Sequence, residues 1–346
     1  MNLYVHFPFC RSKCAYCALH SKAGTSSAIR ASHVAKAVAD IQARFGDRPR
    51  LSTVYFGGGS PALCDLSPFQ HIETDEFTVE LHPLDATDSV LNSLERLGVN
   101  RVSMGIQSFD DATLALMGRG HSASDAANAF RKIAARFPNS GFDMICGLPT
   151  ATNTASRAAF MRSLDAALAL APRHISCYSL IREPKTKLDI MVRHGKWSLP
   201  DDDETMDALR IASQKFASAG LARYEISNWA VPGFECRHNL AVWRGEDYVG
   251  IGEGARGREG LVRTFAAPSG EIKMECLSPE ADARERAMFR LRLAEGMPAA
   301  IAERFGWTAK LASLAGLGIV RLANGNYSLT MRGTEVCDAA MAELAS

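Results

Sequence analysis

Along the first half of the chain, short apolar runs rich in β-branched and aromatic residues alternate with longer segments whose apolar positions recur at helical spacing. The short runs are Leu3–Phe7, Thr53–Phe56, Phe77–Leu81, Arg101–Ile106, Gly141–Ile145 and His174–Tyr178. The Ala-, Leu- and charge-rich segments between them include Ser32–Phe45, Ser89–Leu97, Ser124–Phe137 and Ala155–Ala169. Runs of the first kind predict strands, and a 3.6-residue period predicts helices. Strand alternating with helix six times predicts an α/β fold, a parallel sheet covered by its connecting helices.

After Pro279 the pattern changes. Helical runs at Ala281–Glu295, Ala299–Phe305 and Ala309–Ala315 lead into a hairpin signal, Gly318–Leu322 and Tyr327–Thr330 joined through Asn324-Gly325-Asn326. A closing helix is expected over Met331–Leu344. Helices with such a wing make a mostly helical, winged-helix-like module. Three units are expected: 1–230 as the parallel-sheet core, 231–280 as a connecting segment, and 281–346 as the C-terminal module.

The 346 residues are 47% hydrophobic, enough for a large core and a smaller one. A formal net charge of +1 gives no broad attraction to nucleic acid. The winged module is therefore read as a lid or docking unit, and no nucleic-acid partner is expected. Nine cysteines without a paired framework fit a reducing compartment. No stretch is apolar and uncharged over the length that a signal peptide or membrane span needs. A cytoplasmic protein without a transmembrane segment is expected, and peripheral membrane contact stays compatible with the chain.

The candidate chemistry follows the strands. Cys10, Cys14 and Cys17 come directly after the first run. Three thiolates can hold three irons of a [4Fe–4S] cluster, leaving one iron for a non-protein ligand. Zinc is the competing reading, although structural zinc sites usually add a second Cys-x2-4-Cys pair. Here the remaining cysteines, Cys64, Cys146, Cys177, Cys236, Cys276 and Cys337, are scattered singly. Gly57-Gly58-Gly59-Ser60-Pro61 follows the second run, where bare backbone lets a ligand lie close; an ordinary turn also accounts for these glycines. Glu80 closes the third run, Gln107 and Ser108 follow the fourth, and Asp143 lies in the fifth. Glu80 and Asp143 read equally as cap or ion-pair partners. Side chains from five successive strand ends meeting at one place favour a partial barrel over an open sheet.

These motifs resemble the radical S-adenosylmethionine superfamily, and within it the oxygen-independent coproporphyrinogen III oxidase branch. The resemblance is carried by Tyr4-Val5-His6-Phe7-Pro8-Phe9-Cys10-x3-Cys14-x-Tyr16-Cys17 and Phe56-Gly57-Gly58-Gly59-Ser60-Pro61. It continues through Gly105-Ile106-Gln107-Ser108-Phe109, Gly118-Arg119-Gly120-His121 and Phe142-Asp143-Met144-Ile145. Tyr224 to Ala230, His238 to Trp243 and Gly250-Ile251-Gly252 extend it over nearly the whole chain. Within the branch the sequence is more similar to the heme chaperones than to the oxidases. The oxidases carry a further cysteine where this chain has Leu19, and a long segment ahead of their cysteines, where nine residues precede Cys10 here.

The resemblance implies a partial (β/α)6 barrel followed by a winged-helix-like domain. It implies that Cys10, Cys14 and Cys17 ligate a [4Fe–4S] cluster whose open iron takes the amino and carboxylate groups of S-adenosylmethionine. It places Tyr4 and Tyr16 along the site, Gly58, Gly59 and Ser60 at the methionyl end, and Glu80, Gln107, Arg119 and Asp143 around the cofactor. Arg119 suits a carboxylate as a planar fork of donors, while Glu80 and Asp143 are acceptors. Heme is implied as cargo, bound through a loop with the element His238-Asn239-x-x-Val242-Trp243, in which Val242 stands where the family has Tyr. His238 is the implied heme ligand, with Cys236 and His6 as weaker candidates. From the residues alone, a His followed by Asn in a loop is more often a hydrogen-bonded structural residue than a ligand. Glu253 and Arg256 occupy a glycine-rich stretch where the family has smaller residues or His. The implied function is heme binding and transfer using the cluster and S-adenosylmethionine. Oxidative decarboxylation of coproporphyrinogen III is the alternative. No catalytic residue is assigned, and the protein that receives the heme is not identified.

Overall fold

Six strands run parallel and in sequence order in the computed structural model, which describes residues 1–149 and 156–345. They are β1 (Asn2–Phe7), β2 (Arg50–Gly58), β3 (Glu73–Leu81), β4 (Arg101–Gln107), β5 (Asn139–Cys146) and β6 (His174–Ser179). Parallel neighbours need crossovers. Helices Ser27–Phe45, Asp88–Arg96, Ala123–Arg136 and Ser156–Leu168 supply four of them. Ala155, expected to start the last of these, lies outside the described residues. The first helix begins five residues ahead of the expected Ser32 because Ser26 caps it, its hydroxyl accepting from the Ile29 N–H.

Each strand has two faces, as the period of two requires. Leu3, Val5, Phe7, Val54, Phe56, Phe77, Val79, Val102, Met104, Phe142 and Ile175 are all buried. They form one core with helix residues such as Ile41, Leu91, Phe130, Ile133 and Leu164. The alternate residues, among them Tyr4, His6, Tyr55, Glu80, Ser103 and Asp143, point to the opposite, inner face, which is polar. β6 pairs not with β1 but with an antiparallel strand, β7 (Asn228–Ala230), so the barrel stays open.

The far edge of β1 corrects an expectation. Residues 231–280 are not simply a connection: β8 (Tyr248–Ile251) pairs parallel with β1, and β9 (Arg256–Glu259), β10 (Val262–Ala266) and β11 (Ile272–Cys276) extend the sheet antiparallel. Every residue of β11 is exposed, so no apolar alternation marked it as a strand. The His238-Asn239 element is likewise not a loop but a short helix, Arg237–Trp243, whose N-cap Cys236 makes no side-chain cap bond.

The C-terminal residues build a second core from Leu291, Met297, Trp307, Leu311, Val320, Tyr327 and Leu344. Its hairpin, Val320–Ala323 with Asn326–Leu329, turns at Asn324 (φ 51°) and Gly325 (φ 77°), the left-handed pair that a type I′ turn needs. The closing helix is not continuous; it breaks at Val336 into Met331–Glu335 and Cys337–Ala345. Arg210 holds Glu335 through two bonds of 2.7 and 2.6 Å, tying this core to the barrel. Among the described residues no helix is long and apolar enough to cross a membrane.

Phe56 is fully buried where β2 meets the helices and packs against Phe7, Phe69 and Phe77. Phe56→Ala is expected to cost about 3–5 kcal/mol of unfolding free energy. A loss under about 1 kcal/mol in denaturant titration would contradict this packing.

Candidate functional site

The three cysteines lie on the loop that leaves β1, and main-chain bonds fix that loop at both ends. Phe9 and Cys10 pair with Lys22 and Ala23, the Ala15 N–H donates to the Met117 carbonyl at 2.9 Å, and the Leu188 N–H donates to the Ala15 carbonyl at 2.8 Å. Lys13 donates to the Leu19 carbonyl and to Ser21, both at 2.8 Å, which closes the loop across its middle. Cys10, Cys14 and Cys17 are free and half-buried. Burial pushes the Cys10 and Cys17 thiols up, and the neighbouring thiols add to it. Among the described residues no group of three or more His, Cys, Asp or Glu is arranged around a single metal ion. A cluster makes a different demand, since each cysteine binds its own iron.

The end of β2 is a cradle that a side chain would fill. A Cβ on Gly59 would overlap the Phe9 carbonyl and lie 2.9 Å from Cys10 Sγ; one on Gly58 (φ 107°) would strike the His6 ring. Backbone therefore passes against the cysteine loop where only glycine fits. The Gly59 N–H donates to the Phe7 carbonyl at 2.7 Å and the Ser60 N–H to the Phe9 carbonyl at 2.6 Å. The Ser60 hydroxyl is engaged by Asp85, whose other oxygen accepts from Arg11 Nε at 2.8 Å. Asp85 and Arg11 thus lock the glycine turn to the cysteine loop. They were not among the expected site residues; they stand 74 positions apart, so no local pattern signals the pair.

Behind the loop the inner face brings Glu80, Asp143, Tyr4, Tyr55 and Arg119 to the same region. The Tyr55 hydroxyl donates to Glu80 Oε1 at 2.8 Å and the Gly58 N–H to Oε2 at 3.0 Å. Burial, with Asp143 beside it, pushes the Glu80 carboxyl up to about 7. Asp143 is also raised by burial, although Ser103 donates to it at 3.1 Å. His6 Nε2 faces the His20 carbonyl at 2.9 Å and must carry the proton, so Nδ1 accepts from the Tyr4 hydroxyl, also at 2.9 Å. Burial raises the Tyr4 and Tyr16 phenols, keeping both protonated.

Arg119 sits directly beside the cysteines. Nη1 donates to Cys14 Sγ at 3.4 Å and Nη2 to the Gly105 carbonyl, while Nε is buried without a partner among the described residues. A buried guanidinium with a spare donor is costly to leave unpaired and suits an incoming carboxylate. Gln107, at the end of β4, has a φ of 74°, which a non-glycine residue rarely adopts, and the β4–β5 register shifts there. Such strain collects at binding sites. His82 and His121 face each other at 5.0 Å; burial first, then Arg119, lowers them to about 3 and about 4. Both are neutral near pH 7, so the positive charge of that corner comes from Arg119, with Arg11 beside His82. Ser108, by contrast, is buried against Ser163 and faces away from this region.

His238 lies elsewhere, packed in the barrel beneath Tyr4 and Tyr55, with ring centroids 6.4 and 5.2 Å away. Thr53 gives its hydroxyl proton to Asn2 at 2.9 Å and so accepts from His238 Nδ1 at 2.8 Å, leaving Nε2 as the ring's lone pair. Burial, then Arg101, lowers His238 to about 4, so the ring is neutral. That is the protonation state of a metal ligand, yet the residue is only 5% exposed. Glu76 pins the helix start, accepting from the Arg237 and His238 N–H groups, both at 3.0 Å. Cys236 is fully buried, its thiol donating to the same carboxylate.

The chain is similar to known proteins over most of its length. The model of the Radical SAM superfamily matches residues 4–157. The heme chaperone HemW of Synechocystis is 33% identical, with 91% of this chain and 83% of that protein covered. HemW of Escherichia coli K12 is 31% identical over 86% and 84% of the two chains. The bovine mitochondrial radical S-adenosyl methionine domain-containing protein 1 is 31% identical over 83% and 67%. Among solved structures, the coproporphyrinogen III oxidase HemN of Escherichia coli superposes with a TM-score of 0.81 over 99% of this chain and 89% of that one. At 19% identity that likeness shows the fold, the partial radical S-adenosylmethionine barrel with its C-terminal helical region.

Glu80 yields a pH prediction. Its folded-state value of about 7 lies above the ordinary 4.5, so the folded chain holds an extra proton between those values and stability falls as pH rises through that window. Glu80→Gln removes the slope. The ligand-free variant should melt above the wild type at pH 8, and the gap should close toward pH 4.5. A gap that is constant or widens at low pH would show that Glu80 is already ionised there.

Proposed function

The chain belongs to the HemW family of the radical S-adenosylmethionine superfamily, and from that we propose that it is a heme chaperone that binds heme and passes it on. The observation that carries the reading is the 31–33% identity to heme chaperones over most of both chains. Cys10, Cys14 and Cys17 each hold one iron of a [4Fe–4S] cluster. The donor set fits: three half-buried thiols stand on a stapled loop, with Lys13 and Arg119 near enough to Cys17 to offset part of the effect of its burial. Cluster and S-adenosylmethionine together supply one-electron reductive chemistry when bound.

The chain's own part is to orient and enclose. Arg119, through its spare Nε, receives the methionyl carboxylate beside Cys14. The backbone of Gly58 and Gly59, with Ser60 locked in place by Asp85, lets the methionyl end lie against the turn. Glu80 and Asp143 accept from the ammonium or ribose hydroxyls, with Gln107 at the rim and Tyr4 and Tyr16 excluding water. Heme is the cargo. His238 has the protonation state of an iron ligand but reaches a heme only if helix Arg237–Trp243 leaves the barrel floor.

Anaerobically purified protein should carry about four irons and four sulfides per chain. Cys14→Ser should lose most of both, and one zinc without sulfide would refute the assignment. Arg119→Ala should bind S-adenosylmethionine about tenfold or more weakly, as loss of a charge-assisted contact implies, with an unchanged melting temperature. A lower melting temperature with intact affinity would make Arg119 structural. The chaperone reading itself predicts stoichiometric heme uptake with a Soret band and no protoporphyrinogen from coproporphyrinogen III. Substantial turnover of that substrate, or no heme uptake, would overturn it.

A further inference from the structure

A cleft of about 600 Å³ opens between the antiparallel strands β9–β11 and the C-terminal helix Pro279–Leu291. We propose that it seats a planar, apolar-faced dicarboxylate, a tetrapyrrole such as heme, with Arg256 and Lys273 receiving the two carboxylates. The inference rests on the heme reading above and adds to it a place in the fold.

The walls combine aromatic rings with charged side chains. Trp243, Tyr248, Phe265 and Phe289 all line the cleft, and Trp243 meets Phe289 edge-on at 5.7 Å. Broad rings give a macrocycle flat apolar surface. The volume falls in the range of small-molecule sites, roughly 300–1,000 Å³. A bounded cleft of this size in a chain of net charge +1 is unlike the long basic stripe that tracks a nucleic acid.

Most cations of the cleft are already engaged. Buried Arg258 meets Asp282 at 2.5 Å and Glu285 at 2.9 Å. Arg263 meets Glu275 at 2.9 Å and Glu285 at 2.6 Å. Arg292 lies over Trp243 and reaches Asp338 at 3.3 Å. Arg256 and Lys273 are different: both are exposed, and neither has an ion-pair partner among the described residues. They also share a row. Arg256 lies opposite Phe265, which lies opposite Lys273, and directly opposed residues of antiparallel strands share a face. The Arg256 guanidinium already sits 4.7 Å from the Phe265 ring centroid. Two cations without a carboxylate partner among the described residues, two strands apart or roughly 10 Å, therefore share one row with an aromatic ring, Arg256 lying over it. A dicarboxylate with a flat apolar body satisfies all three.

The placement also divides the His238-to-Trp243 element. Its histidine is buried in the barrel with Thr53, while Val242 and Trp243, at the other end of the same short helix, line the cleft. The lining further holds Tyr248, a side-chain type that ligates heme iron.

The test is an anaerobic titration of the full chain with heme and with heme dimethyl ester, whose carboxylates are blocked. The proteins are wild type, the double variant Arg256→Glu/Lys273→Glu, and His238→Ala. Both charge reversals are on exposed side chains, and iron content, sulfide content and melting temperature check that the double variant folds. It should bind heme about tenfold or more weakly, and the wild-type preference for heme over its ester should vanish. Wild-type uptake with unaltered affinity in the double variant overturns the cleft alone, and loss of the Soret band in His238→Ala would then move heme into the barrel. A wild type that takes up no heme overturns the chaperone reading and the cleft with it. An oligonucleotide that binds wild type but not the double variant, with heme affinity unmoved, would give the cleft to nucleic acid and also overturn the proposal.

Discussion

The structure depends on one constraint: six parallel strands with an apolar face that the helices cover and a polar face turned inward. The apolar face supplies the cohesion, since Leu3, Val5, Phe7, Phe56, Phe77, Val79 and Val102 are essentially without exposure. The polar face then follows from the period of two. The polar side chains buried on it are withdrawn from bulk water and need partners. Tyr55 and the Gly58 N–H meet Glu80, Ser103 meets Asp143, and Tyr4 meets His6. What these partners do not fully satisfy is left at the carboxyl end: a raised carboxyl at Glu80, a raised Asp143, and the spare donor of Arg119.

The cysteine loop is placed by the same sheet. It leaves β1 where β2 ends in bare glycine backbone, so loop and turn approach within distances that a Cβ would forbid. Arg11, Asp85 and Ser60 lock the two segments, and Arg119 arrives from after β4 to touch Cys14. Four separate stretches of chain therefore fix one small volume. At the opposite end the barrel is plugged rather than open, by helix Arg237–Trp243, with Glu76 receiving the first backbone donors of that helix. This plug hands the C-terminal half of the helix to the outer sheet extension.

What could be read from the sequence was local. The six core strands sit over apolar runs strong enough to show, and the cysteine spacing stands on a single loop. The hairpin at Asn324-Gly325 announces itself because those two residues take the left-handed backbone that few others accept. What could not be read was long-range or weakly patterned. β11 is exposed along its whole length, so it carries no alternation, and Gly260 (φ 54°), between β9 and β10, was the faint mark of a hairpin there. The Arg237–Trp243 helix is short and lacks a capping side chain, so it resembles a loop. The break at Val336 lies inside a helical run with no proline or glycine at that position to announce it. The Arg11–Asp85 lock joins residues with no shared motif.

The central claim is that the three-cysteine loop holds a cluster with one iron open to S-adenosylmethionine beside Arg119. The most direct measurement is the electron paramagnetic resonance spectrum of the reduced protein before and after S-adenosylmethionine is added. The account predicts a [4Fe–4S] signal whose g-values shift on addition, because a ligand joins the open iron, and a much smaller shift at equal cofactor concentration in Arg119→Ala. A cluster signal that S-adenosylmethionine leaves unchanged in the wild type would contradict it.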